Sequence, residues 1–154
     1  MRHWLMKSEP DEFSIDDLAR RRIEPWTGVR NYQARNFMRD DMRVGDRVLF
    51  YHSSCAAPGV AGIAEIIGVA KPDPTQFDPA SAYHDPASRA DDPRWLCVDV
   101  GFVRRLRGVI GLDAIRAQGS RLEGLTLLAR GNRLSVFPVD RRHYDLILEL
   151  EPTA

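Results

Sequence analysis

Apolar and polar positions change rhythm along this chain, and each rhythm predicts an element. Residues 2–7, RHWLMK, form a short apolar run of the kind that fills a buried strand. SEPDEFSIDDL then turns polar. Ser14 and Asp17 stand at capping-box spacing and Phe13 can staple onto Leu18, which predicts a short helix from about Ile15 to Arg21. Pro25, Thr27 and Gly28 break any repeat around Trp26 and put that indole on a loop. Asn31 can cap a second helix, with Ala34, Phe37 and Met38 facing inward and Arg35 and Arg39 on another face.

VGDRVLFYHS reads as a turn entering a strand, CAAPG as a loop, and VAGIAEIIGVAK as a long strand. Gly62 and Gly68 in that strand predict a bulge or a close backbone approach. From Pro72 to Pro93 the chain is rich in Asp, Pro, Ala and Ser and has no period. A connection of over twenty residues is expected to be a functional flap or an ordered surface loop. RWLCVDVGFVRRL alternates as a strand through Leu96, Val98, Val100 and Phe102. GLDAIRAQ and LEGLTLL read as short helices joined by Gly119 and Ser120. NRLSVFPV reads as a short strand with Pro138 near an edge, and Asp140 as the cap of a last helix that turns Tyr144, Ile147 and Leu148 inward. No internal repeat is present. The mixed order, without obligate βαβ crossovers, predicts an α+β fold: a single domain over residues 1–154, built as a small, mostly antiparallel β-barrel with peripheral helices.

Composition narrows the function classes. With 44% hydrophobic and 29% charged residues, the chain is an ordinary globular one. No apolar run approaches the roughly 20 residues that span a bilayer, and MRHWLMKSEPDEF lacks a signal-peptide core. The expectation is a cytoplasmic protein with no membrane partner. Cys55 and Cys97, neither in a CxxC, read as buried free thiols. His3, His52, His84 and His143 are scattered without metal-ligand spacing, so neither a metal nor a cofactor is expected. A net charge of zero argues against coating long polyanions, whose binding rests on released counterions, but permits a local basic site. Of 22 basic residues only Lys7 and Lys71 are lysines.

The densest chemistry lies in WTGVRNYQARN, Trp26 to Asn36, which collects rings, planar amides and forked cations. These are the groups that grip a flat polar ring and an anion beside it. Trp26 supplies a wall. Arg30, Asn31, Tyr32 and Arg35 supply donors to an anion and donor–acceptor pairs to a base edge. The plainer readings are a rim or core tryptophan, an Asn31 cap and arginines on solvated faces. Lys7, Ser8 and Glu9, in the KSEP turn after the first strand, can point an ammonium, backbone amides and a carboxylate into a cleft. In FYHSSC a Ser–His or His–Cys nucleophile is conceivable, but no orienting acid or oxyanion loop accompanies it. Tyr51, His52 and Ser53 therefore read as pocket lining. Arg130 and Arg133 flank a Gly131–Asn132 bend and can clamp phosphate, or can lie exposed on a plain turn. RRLR and ARRR are solvated charge runs.

Together, WLMKSEP, WTGVRNYQARNFMR, VGDRVLFYHSSC, PGVAGIAEI, PDPTQFDPASAYHDP, PRWLCVDV and RGNRLSVFPV resemble the EVE domain family, collinearly from His3 to about Leu150. The resemblance implies a PUA-like, strongly bent barrel related to YTH and ASCH domains. It also implies a non-catalytic module that takes a flipped, modified base into a pocket, modified cytosine in DNA being favoured and a methylated base in RNA being the other case. Trp26 would wall that pocket. Lys7, Ser8, Glu9 and Tyr51, His52, Ser53 would lie around its mouth, with Asn31, Tyr32, Arg35 and Arg133 on base or backbone. Trp95 would be structural. The alternatives are a sensor of a free modified nucleoside, and an ASCH-like ribonuclease using Lys7, Tyr51 or His52.

Overall fold

A computed structural model describes residues 1–153. In chain order it contains β1 (His3–Ser8), α1 (Ile15–Arg21), β2 (Ile23–Pro25), α2 (Tyr32–Asn36), β3 (Arg47–His52), β4 (Gly59–Pro72), β5 (Leu96–Gly111), α3 (Leu112–Arg116), β6 (Val136–Val139) and α4 (Arg141–Glu149). The fold is α+β. Its six strands form one mixed sheet in the order β2-β5-β4-β3-β1-β6. Only β1 and β3 run parallel. Register shifts along β4 and β5, at Gly62 and Gly68 among other places, bend the sheet. Its ladder ends at β2 and β6, so the expected barrel is an open one.

The apolar run of β1 is continuous because both faces of that strand are covered. Trp4 and Met6 join Phe50, Leu18, Met38 and Val98 in one cluster, while Leu5 joins Leu49, Ile110, Phe137 and Ile147 in another. The capping box of α1 forms as its spacing predicts: Ser14 Oγ accepts the Asp17 N–H at 3.1 Å, and Asp17 accepts the Ser14 N–H at 2.9 Å. Ile15 of that helix packs where a Cβ on Gly62 would collide with it, so the glycine allows the helix to sit on β4.

Three local expectations differ from what forms. β2 is a strand where a break is expected; it pairs Ile23–Pro25 antiparallel to β5 because an outer strand leaves Pro25 no ladder bond to lose. LEGLTLL forms no α-helix: two 3₁₀ turns, Gly119–Leu122 and Thr126–Leu128, flank Gly124, whose φ of +90° stops propagation. Asp140 occupies the N-cap of α4, but its side chain makes no capping hydrogen bond.

Candidate functional site

The parallel pairing of β1 with β3 sets Lys7 beside Tyr51 and Ser8 beside His52 at one end of the sheet. The Ser53 N–H donates to the Ser8 carbonyl at 3.0 Å, and the Lys7 N–H to the Ser135 carbonyl at 2.8 Å. The ends of β1 and β3 and the lead-in to β6 thus converge. Across from them, Trp26 leaves β2 with its backbone N–H on the Val98 carbonyl at 2.8 Å. Between these walls lies a cavity of about 680 Å³.

Trp26 forms one wall. It is buried, edge-on to Phe13 at 6.5 Å and to Phe50 at 5.4 Å between ring centroids. Trp4 and Trp95 give their indole N–H groups to Asp46 and Asp85, whereas that of Trp26 has no acceptor among the described residues. Lys7 lies at the inner end, its Nζ 5.9 Å from the Tyr51 ring centre and 5.8 Å from that of Phe137. Burial lowers its pKa. Ser8 Oγ is committed to the Phe13 carbonyl at 2.6 Å. Ser54, also on the cavity, holds φ at +53°, a left-handed conformation uncommon for serine.

The segment after β4 supplies the facing side. Tyr83 reaches back from it to line the cavity, and its hydroxyl donates to Glu12 at 2.9 Å. Burial, with that carboxylate beside it, raises the phenol's pKa. The Tyr83 ring lies against Gly28, where a Cβ would stand 2.8 Å from a ring carbon; Gly28 also holds φ at +86°. Arg30 secures the same segment. Its guanidinium donates to Asp73 at 3.0 Å, to Thr75 Oγ1 at 3.0 Å and to the Tyr83 carbonyl at 2.7 Å. Asp73, fully buried, also accepts the Gly28 N–H at 2.8 Å. Gln76, equally buried, donates to the carbonyls of Asp73 and Trp95 and accepts from Ser88 Oγ and the Trp95 N–H. The long polar excursion is therefore an ordered flap, and Trp95 is its inner post, hydrogen-bonded to Asp85 at 2.7 Å.

Of the residues singled out from sequence, Lys7, Ser8, Glu9, Trp26, Ser53 and Arg133 meet on the cavity. The others are placed elsewhere. Arg30 is used up in the flap anchor. Asn31 caps α2, accepting the Ala34 N–H at 3.0 Å. Tyr32 points outward and stacks on Trp95 at 4.8 Å. Arg35 lies over Tyr32 and donates to Asn36 and to the Arg94 carbonyl. Tyr51 is buried in the second core cluster. His52 Nε2 accepts the Ile15 N–H at 3.1 Å, tying β3 to the start of α1; burial lowers its pKa, with Asp16 opposing. Arg130 is exposed and does not border the cavity.

Phe13, Glu12 and Tyr83 line the cavity and were not read as site residues. Phe13 carries a staple-like signal that accounts for it locally, so its second role is invisible in sequence. Tyr83 had a signal: a lone aromatic in a long polar excursion. Around the rim, Lys7, Arg21 and Arg133 are balanced by Glu9, Glu12 and Glu24, with Arg21 and Glu24 paired to each other. Among the described residues, no group of three or more His, Cys, Asp or Glu side chains is placed to hold a metal ion.

Comparison with known proteins gives one consistent family. Mouse thymocyte nuclear protein 1 is 43% identical over 169 aligned positions, spanning 98% of this chain and 74% of that protein. A solved Pseudomonas syringae protein is 52% identical and superposes with a TM-score of 0.92, covering 96% of this chain and 98% of the other. Human thymocyte nuclear protein 1, solved in complex with 5-methylcytosine-containing DNA, is 41% identical with a TM-score of 0.90, covering 100% and 99% of the two chains. The EVE domain matches residues 2–150, and the chain belongs to the EVE domain family.

Proposed function

We propose that this protein is a non-catalytic module that binds DNA carrying a modified cytosine and takes the flipped base into the cavity walled by Trp26, with Arg133 at the rim on the phosphate backbone. The observation that carries this reading is the cavity itself, aromatic on one wall and holding polar groups without protein partners, in a relative of a protein solved with 5-methylcytosine-containing DNA. The non-catalytic part is supported by the commitments of the candidate nucleophile and base. His52 holds the α1 N–H, Ser8 Oγ holds a carbonyl, and Tyr51 is buried.

The energies fit a selective but modest binder. Extruding a base costs a few kcal/mol, stacking on an aromatic returns about 1–3 kcal/mol, and a methyl in an apolar niche adds about 1–3 kcal/mol. Phosphate contacts supply the remainder, so affinity falls with salt.

Fluorescence polarisation at two salt concentrations tests the reading. Single- and double-stranded DNA and RNA would carry cytosine, 5-methylcytosine, 5-hydroxymethylcytosine or N6-methyladenine. The expected result is preference for a modified cytosine in DNA, lost in Trp26→Ala and with the fold of that variant checked by circular dichroism. Equal binding of all bases removes the pocket from the reading.

A second reading, a sensor of a free modified nucleoside, draws on the balanced charge around the rim, which provides no basic track for a polymer. Competition by free nucleoside at its own affinity equal to that of the oligonucleotide selects it.

A further inference from the structure

The two cations that border the cavity from β1 and the β6 lead-in stand in different environments. Arg133 is exposed and open to solvent, where a phosphate backbone passes. Lys7 is partly buried at the inner end, its stem against the Tyr51 and Phe137 rings. No carboxylate lies within ion-pairing distance of its ammonium among the described residues, and burial is the sole cause of its lowered pKa. Desolvating an ammonium without a counter-charge or acceptor is costly. The neighbouring polar groups offer no relief: Ser8 Oγ is turned to the Phe13 carbonyl, and the Ser135 carbonyl holds the Lys7 backbone N–H. The inner end of the cavity therefore presents a donor that awaits an acceptor.

Resting on the reading of this cavity as a base pocket, we infer that Lys7 is its specificity-determining residue, donating to the acceptor edge of the bound base while Arg133 meets the phosphate. An ammonium has three donors and no acceptor. Cytosine offers it an unprotonated ring nitrogen N3 beside the O2 carbonyl. Thymine carries the same 5-methyl group but presents an N3–H, which opposes an N–H donor. Lys7 thus distinguishes the two 5-methylated pyrimidines by their ring edge, which a methyl niche alone does not do.

The experiment compares wild type with Lys7→Met and Arg133→Ala on three duplexes that differ at one position: 5-methylcytosine, thymine or an abasic site. Affinity is measured across a salt series. Lys7→Met keeps a stem over the two rings and removes the donor. It is expected to weaken the 5-methylcytosine duplex about 10- to 100-fold, the worth of a charge-assisted hydrogen bond. It should narrow the preference over thymine and leave abasic binding and the salt slope unchanged. Arg133→Ala is expected to weaken all three alike and reduce the slope by about one. If Lys7→Met instead lowers all three equally and flattens the slope, Lys7 is a phosphate contact and the inference is overturned. No loss on any duplex overturns it too. Wild-type protein that binds none of the three removes the base-pocket reading itself, a separate result. Should Lys7→Met fail to fold, Lys7→Arg carries the test. It keeps the charge but moves the donors, so selective loss on 5-methylcytosine supports the inference and unchanged preference overturns it.

Discussion

Arg30 and Lys7 are both cations seated over aromatic rings, Arg30 over Tyr83 and Trp95, Lys7 over Tyr51 and Phe137. Around Arg30 the bonding is closed. Its guanidinium, the buried Asp73, Gln76 and the Trp95 indole all find protein partners. Around Lys7 it is open, with the ammonium and the Trp26 indole N–H facing a cavity. In sequence the two regions draw on the same residue types, and WTGVRNYQARN contributes to both. The difference teaches that polar density marks a site only where donors are left over. Where they are mutually satisfied, the same residues are construction, here the mooring of the flap that brings Tyr83 to the cavity.

The sharpest way to break this contrast is to open the closed side. Asp73→Ala leaves the Arg30 guanidinium, whose side chain is only 21% exposed, without its buried partner. The expected loss is about 3 kcal/mol, a fall of roughly 6–12 °C in Tm for a chain of this size by calorimetry. A Tm within a degree or two of wild type would mean that the flap anchor is not structural. Gly28→Ala attacks the junction between the regions, since its Cβ would meet the Tyr83 ring and the left-handed backbone disfavours alanine. We expect a stability cost of about 1–2 kcal/mol, with weakened ligand binding as the ring is pushed aside. Stability lost without any change in binding would separate Tyr83 from the site.

His52 gives a pH test. Burial lowers its pKa, so the folded state binds fewer protons than the unfolded chain below the ordinary value of 6.5. Its contribution is therefore present above pH 6.5 and lost as pH falls below it, because protonated Nε2 cannot accept the Ile15 N–H. Urea denaturation at pH 7.5 and 5.5 should show a loss of about 1 kcal/mol from that bond. His3, also lowered by burial, titrates in the same direction, so His52→Gln should diminish the change and not abolish it. An undiminished pH response in His52→Gln would assign the effect elsewhere. The smallest expected effect is that of Arg35→Ala. Its guanidinium serves Asn36, the Arg94 carbonyl and the Tyr32 face, so stability should change by under about 1 kcal/mol and binding not at all. A loss of affinity and salt slope matching Arg133→Ala would return Arg35 to the phosphate contacts.

Local rules carried much of the fold. The Ser14–Asp17 box, the Asn31 cap, the bulges at Gly62 and Gly68 and the edge position of β6 with Pro138 all follow from chemistry within a few residues. The same local signals were an obstacle at the site. Asn31 had a sufficient role as a cap, yet its neighbours suggested a base contact. Phe13 had a sufficient role as a staple, which concealed its place on the cavity wall.

What the sequence determined by itself is therefore the set of elements, their caps and breaks, and the family through a collinear run of motifs. Each of those rests on interactions that span four residues or fewer, or on order along the chain. Only tertiary structure decided which polar groups are spent. The Arg30 guanidinium finds Asp73 from 43 positions away, and the His52 ring finds the Ile15 N–H from 37. No comparable protein partner meets Lys7. Whether a donor is satisfied depends on what the fold carries to within about 3 Å of it, and that distance is not written in the neighbouring residues.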